Sequence, residues 1–399
     1  MAKTKSKAKS PKKGSRNGGF FFGGGRHRLL ASIMVFLLLA ASFGSTFVPE
    51  ESVPEPLRNI HASLLATRNG LIAKSGLPIS RYEDAFQLEN PGSAPVKLYF
   101  APSPGISRSL CEFIDSARDS LDVCIYDLDL EDAEGALIRA YQRNLKVRVI
   151  TDDSNADLAA VKALEKAGIP VRNDNRASLM HNKFMVADAT RVWTGSFNFT
   201  SNGALKNDNN VLVLESPSLA NAYMEKFDEY WSGKFSFEAS LVTREPKLLV
   251  GKIPVEVAFS PSDRVRKKIL EELDFVKERL DIMAFSLTSD EIAGKLKDLA
   301  KRGVEIRCLL DASTTGSAFS KDQYLKGLGV KVRISPNTSG KMHHKVMILD
   351  GETVLTGSYN FSNNAEKYND ENILILRSPA LAKKYEEEFR RCWMGTKGY

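Results

Sequence analysis

The chain is poor in histidine, cysteine and tryptophan, with 5, 4 and 3 in 399 residues. The cysteines, Cys111, Cys124, Cys308 and Cys392, lack the paired spacing of a zinc site, and no carboxylates gather at ligand spacing around the histidines. No metal or cofactor is therefore expected, and the cysteines read as small buried hydrophobes. Positive charge is also missing from most of the chain. The net charge is +7, but nine cations and no acid lie in residues 1–28, which leaves −2 for residues 29–399. The basic character belongs to the tail and gives no reason to read the body as a polyanion binder.

One long uncharged run is present, LLASIMVFLLLAASFGSTFV over residues 29–48. Its 20 residues suffice to span a bilayer as a helix. Cations precede it, and Glu50, Glu51 and Glu55 follow it, which predicts an N-in, C-out anchor with the rest of the chain outside the cytoplasm. Ala40, Ala41 and Ser42 leave a cleaved signal peptide and secretion as the alternative.

The rest of the chain says one thing twice. PVKLYFAPS (residues 95–103) matches PVEVAFSPS (residues 254–262) at an offset of 159, and the offset is 162 from His181 against His343 to Trp231 against Trp393. This is a duplication at domain scale. Ile106, Leu110, Phe113, Ile114 and Ala117 recur at helical spacing, as do Val265, Ile269, Leu273 and Val276. LDVCIY, LKVRVIT, KFMVA and RVWTG predict strands, mirrored by LDIMAF, VEIRCLL, KVMIL and TVLTG, and a helix closes each copy. The expected fold is α/β, two similar modules of mixed sheet and flanking helices related by a pseudo-two-fold axis. The divisions are a basic cytoplasmic tail 1–28, the membrane or signal segment 29–48, a linker 49–94, a module 95–232, a linker 233–253 and a module 254–394.

Each module carries His-x-Lys, four residues, then Asp: His181, Lys183 and Asp188, then His343, Lys345 and Asp350. Alternation along a strand puts His and Lys on one face and turns His344 to the other. Gly195-Ser196-x-Asn198 and Gly357-Ser358-x-Asn360 follow. Imidazole is a nucleophile and a general acid near neutral pH, lysine neutralises phosphate oxygens, and Ser and Asn donate to them. One histidine cannot both attack phosphorus and protonate the departing oxygen on the opposite side. Two opposed histidines can, which explains the repetition and predicts a monomer that is catalytically complete.

These motifs resemble those of the phospholipase D superfamily over residues 95–394, in the style of its bacterial nuclease and cardiolipin hydrolase branch. The resemblance implies a covalent phosphohistidine on His181, with His343 as acid and then base. It also implies phosphoryl contacts from Lys183, Lys345, Asn198 and Asn360, support from Ser196 and Ser358, orienting roles for Asp188 and Asp350, and no metal. A glutamate that bonds a catalytic histidine belongs to the pattern. Glu371 fits it, whereas its counterpart is Asn209, so either the halves differ in role or Asp208 substitutes. The anchor and the uncharged body favour a phospholipid substrate, and the nuclease likeness favours DNA or RNA. Phosphatidyl transfer and a non-catalytic phosphate-binding membrane protein complete the alternatives.

Overall fold

The computed structural model describes residues 96–238 and 248–395. The tail, the apolar run and the first linker lie outside the described residues. Among the described residues no helix is long and apolar enough to cross a membrane.

The first module runs β1 (Lys97–Ala101), α1 (Pro104–Asp115), β2 (Ser120–Ile125), α2 (Glu131–Gln142), β3 (Lys146–Thr151), α3 (Ala159–Lys166), β4 (Val171–Asn173), β5 (Lys183–Ala187), β6 (Arg191–Gly195), α4 (Ser201–Leu205), β7 (Asn209–Glu215) and α5 (Pro217–Trp231). The second adds β8 (Leu248–Val250) and then repeats the series. It has β9 (Ile253–Ser260), α6 (Val265–Asp274), β10 (Arg279–Ala284), α7 (Asp290–Lys301), β11 (Glu305–Leu310), α8 (Asp322–Gly327) and β12 (Lys331–Ile334). Then come β13 (Lys345–Leu349), β14 (Thr353–Gly357), α9 (Asn363–Lys367), β15 (Glu371–Arg377) and α10 (Pro379–Met394). Serine caps open the closing helices: Ser216 accepts from the Leu219 amide and Ser378 from the Leu381 amide.

The sheets are ordered β1-β7-β6-β5-β2-β3-β4 and β12-β11-β10-β13-β14-β15-β9-β8. They are mixed: β2, β3 and β4 are parallel, and β5 runs antiparallel to both β2 and β6. The expected strands are all present. β1, β4 and β7 add to them, as do their counterparts. β4 is only three residues long, and β7 is buried on both faces along most of its length, which erases its alternation. The stretch 233–253, expected to be linker, supplies β8, which pairs with β9 and extends the second sheet.

Each module has its own apolar core beneath α1 and α2 or α6 and α7. The opposite sheet faces share their packing. One cluster joins Phe184, Tyr223 and Phe227 of the first module to Phe259 and Leu374 of the second. Another packs Leu98 and Phe100 of the first module against Val346, Tyr385 and Phe389. The modules thus bury apolar area against each other, and the seam between them is as fixed as a core. Lys183 opens β5 opposite Ile125 at the end of β2, and Gly195 closes β6, so these ends meet at one edge of the sheet. The second module does the same with Lys345, Ala284 and Gly357.

Candidate active site

Two short bridges stitch the modules together beside the histidines. The His181 amide donates to the Asp370 carbonyl at 2.9 Å, and the Asp370 amide to the Leu179 carbonyl at 2.8 Å. The mirror pair joins the His343 amide to the Asp208 carbonyl at 2.9 Å and the Asp208 amide to the Lys341 carbonyl at 2.8 Å. Each histidine therefore lies beside the residue that follows the bridging aspartate of the other module. His181 Nδ1 lies 3.0 Å from Glu371 Oε2. His343 Nδ1 lies 2.9 Å from Asn209 Oδ1 and 3.1 Å from the Ser196 carbonyl.

Their surroundings fix the tautomers. Asn209 Nδ2 donates to the Gly203 carbonyl, so the oxygen of that amide faces His343. His343 Nδ1 then has only acceptors before it and must carry hydrogen, leaving Nε2 with its lone pair. Glu371 imposes the same arrangement on His181. Its carboxylate is held in turn by the Asn360 amide at 3.1 Å and by Asn369 Nδ2 at 3.1 Å. Asp208 does not stand in for the missing glutamate. Its carboxylate is taken by Arg391 at 2.6 Å and Asn337 at 2.9 Å. Asp370 is clasped by Arg176 and, at 2.7 Å, by the Ser236 amide. An arginine on each side thus locks the rung that carries the partner of a histidine. This clasp could not be anticipated from the repeat, because Arg176 and Arg391 stand at non-equivalent places in it.

Lys183 and Lys345 each donate to the carbonyl of their own histidine, at 2.6 and 2.8 Å. Their amines lie 5.0 and 4.9 Å from the rings of Tyr126 and Phe285, which also stand edge-on to His181 and His343. Tyr126 and Phe285 keep the repeat offset of 159, the one signal by which they were findable. Burial governs the charges. It brings Lys183 down to about 7, against the pull of Glu371, and takes Lys345 well below its ordinary value. It raises Glu371 to about 7, against the pull of Lys183. Both imidazoles are pushed well below their ordinary range by burial and then by the lysines, so both are neutral. The Oδ1 atoms of Asn198 and Asn360 are buried without a partner, in both copies alike. These oxygens are acceptors, and leaving them unpaired is costly until a donor such as a water or a hydroxyl reaches them.

This cavity suits an anion. A phosphodiester brings the negative charge that restores the proton on the lysines and charges a histidine. Inorganic phosphate binding at pH 8 is accordingly expected to take up about one proton or more, seen as a dependence of calorimetric heat on the buffer's ionisation enthalpy. No buffer dependence would show lysines already charged in the empty site.

Other expected residues have structural duties. The hydroxyls of Ser196 and Ser358 accept from the amides of Asn210 and Asn372 at 3.0 Å, tying neighbouring strands together. Gly195 has φ 151°, and a Cβ there would lie 2.2 Å from the Asn210 carbonyl, so the Gly-Ser pair serves this close approach. Asp188 and Asp350 do not join the site. They stand past the far ends of β5 and β13, where Asp188 accepts from the amides of Arg118, Asp119 and Ser120 and Asp350 from those of Lys277, Glu278 and Arg279. The motif's aspartate anchors the loop at the opposite edge of the sheet. Asp188→Ala is expected to lower stability by about 2–3 kcal/mol in chemical denaturation, while turnover per folded molecule stays near wild type. His344 faces away, as expected, and binds Asn210 at 3.1 Å and Glu388 at 3.0 Å. His344, Glu388 and Cys392 lie within 4.8 Å of one another, but Arg391 binds Glu388 there and supplies the positive charge. A surface recess of about 580 Å³ is lined by Tyr99, Phe113, Asp188 and Arg191 and belongs to the far edge of the first module.

Residues 110–231 and 269–393 match the family described as "Cardiolipin synthase, PLD-like domain". The mitochondrial cardiolipin hydrolase of Chlamydomonas reinhardtii is 33% identical over 128 residues, which are 32% of this chain and 57% of that protein. A Rickettsia bellii protein named phospholipase D is 32% identical over 143 residues, 36% of this chain and 69% of that one. The chain thus spans little more than half the length of the first of these relatives. The phosphatidylserine synthase of Haemophilus influenzae superposes with a TM-score of 0.60 over 77% of this chain and 90% of its own, at 14% identity, a likeness of fold.

Proposed function

Because the chain belongs to the phospholipase D superfamily, being matched by its PLD-like domain in both modules, we propose that it hydrolyses phospholipid headgroup esters through a phosphohistidine on His181. The observation that carries this reading is the crossed pairing at the seam, His181 with Glu371 and His343 with Asn209. Phosphate binding charges the lysines and protonates His343 at Nε2. His181 Nε2 attacks phosphorus while the bond to the leaving oxygen breaks and that oxygen takes the His343 proton. Glu371 accepts the Nδ1 hydrogen of the now cationic phosphohistidine and stabilises it. His343, neutral again, takes a proton from water as the water attacks, and the P–N bond electrons return to His181.

A phospholipid substrate is supported by the apolar run of residues 29–48 and by the near-neutral body. The full chain, with EDTA present, is to be assayed in parallel on labelled phosphatidylcholine, cardiolipin and single-stranded DNA. Phosphatidic acid release is expected. DNA cleavage with both lipids untouched would replace the reading by the nuclease one, and phosphatidylglycerol formed in the presence of glycerol would replace it by transfer. The same reading places the modules outside the cytoplasm on an N-in anchor. Protease added to spheroplasts is then expected to digest the Trp393 end and spare the Lys3 end.

A further inference from the structure

We propose that the seam and the second module's side of the mouth form a surface that docks on a phospholipid bilayer, with Leu205, Phe319 and Tyr368 as its apolar tips. The proposal rests on the reading of the site as a phospholipid phosphodiesterase. These side chains are 56%, 75% and 53% exposed. Single exposed apolar residues are ordinary, but these three are tied by short connections to the catalytic groups. Phe319 lies in the loop of residues 311–321. Thr314 of that loop donates to the carbonyl of Phe285, the ring beside His343, and the Lys321 amide donates to the Leu287 carbonyl. Tyr368 precedes Asn369, which binds both Glu371 and the Leu179 amide. Leu205 precedes Lys206 and Asn207, whose carbonyl and side chain receive Asn337 and the Lys341 amide across the seam.

The charges agree with this assignment. Lys206, Lys341 and Lys367 are exposed beside these tips. The Lys341 amine sits 5.5 Å from the Phe285 ring and adds to the charge that keeps His343 neutral. Amines among apolar tips are the composition of a surface that meets anionic headgroups and inserts into the layer below. The first module contributes Leu205 at the seam, but the rest of its side differs: Asp129, Asp153 and Asp157 are exposed there, and its counterpart of the loop 311–321 puts no large apolar side chain into solvent. The stretch from Asp311 to Leu325 is also two residues longer than that from Asp152 to Leu164, which gives Phe319 its reach. The bilayer therefore lies against the seam and the second module's loop 311–321, and the acidic rim stays in water.

Phe275 provides the control. It is 75% exposed and lies two residues before the amides that bind Asp350, at the edge of the sheet away from the site. Phe319→Trp and Phe275→Trp are to be made in the full chain and reconstituted with vesicles of brominated phosphatidylcholine and phosphatidylglycerol. The fluorescence added by Trp at 319 is expected to be quenched by about half or more, and that added at 275 to be unaffected. The Leu205→Ser, Phe319→Ser, Tyr368→Ser triple variant is expected to lose on the order of 10–100-fold in kcat/KM on vesicle phospholipid, the scale of one or two buried apolar side chains. It should keep its rate on a soluble diester, bis(4-nitrophenyl) phosphate. Equal quenching at 319 and 275 overturns the docking surface, as does an unchanged vesicle rate. Quenching of the 319 probe that is abolished by single-stranded DNA would assign the rim to nucleic acid instead. A wild-type chain that leaves the soluble diester intact fails the phosphodiesterase reading itself, and the 319 quenching still decides the surface.

Discussion

His343→Asn is expected to abolish turnover while His181 is intact, and His181→Asn is expected to do the same, each by about 10⁴-fold or more. The magnitude follows from division of labour. One imidazole bonds phosphorus and the other moves the proton on the opposite side, so neither can make up for the loss of its partner. The structure adds the reason that the loss is confined to chemistry. Each histidine is 7–8% exposed and rests on a backbone bridge that an asparagine side chain leaves in place. Single-turnover assays separate the variants. With His343→Asn, a radiolabelled diester is expected to mark the protein at His181 slowly and to stay there, since water is no longer activated. With His181→Asn no label is expected. If either variant keeps near wild-type turnover, the two modules do not share one site.

Glu371→Gln is expected to lower kcat on the order of 10²–10⁴-fold and to remove the acidic limb of the pH–rate profile, with Asn209→Ala having a smaller effect. Glu371 is fully buried against His181, and burial raises it to about 7. As pH falls through 7, the carboxylate gains a proton and can no longer stabilise a cationic phosphohistidine, so wild-type activity declines there. The limb belongs to the coupled group of Glu371, Lys183 and the histidines. Stability runs the other way. A carboxyl whose folded value is raised from 4.5 to about 7 favours the fold fully below 4.5 and loses that contribution as pH rises to 7. Above pH 7 the glutamine variant is spared that cost, and it is expected to unfold at an equal or higher temperature than wild type. Thermal unfolding at pH 8, beside initial rates from pH 5 to 9, distinguishes a group kept for chemistry from one kept for the fold. A small effect on rate together with a drop in melting temperature would reduce Glu371 to a structural residue.

The histidines and lysines stood out because duplication prints them twice, and chance does not align a polar set at a constant offset, whereas Glu371, whose counterpart is Asn209, came only from the family resemblance. The central strands of each module followed from apolar runs bounded by turns, whereas β1, β4, β7 and their counterparts were missed, β4 because it is three residues long and β7 because both its faces are buried. Asp188 and Asp350 misled for a physical reason. A motif is contiguous in sequence, but a five-residue strand carries its end some 17 Å from its start, so one motif serves both edges of the sheet. The clasps at Asp208 and Asp370 were hidden for the opposite reason. Arg176 and Arg391 lie 194 and 183 residues from the aspartates they clasp, occupy unmatched positions in the two copies, and meet those aspartates only when the modules pack. The same packing pairs Glu371 with the histidine of the other module, a partnership that spacing within one module could not disclose.

The crossed bridges also set the order in which the site is completed. His181 and its lysine are complete once the first module has been made, yet the partner of His181 sits in β15 and Arg391 of the second clasp in α10, the last elements of the second module. Both modules must therefore be made before the crossed site is whole. A truncated or half-folded product carries a histidine that is unaligned, exposed to water and without an opposing acid. The seam is thus the last part of the site to be assembled, and a chain holding the first module alone is expected to be inactive.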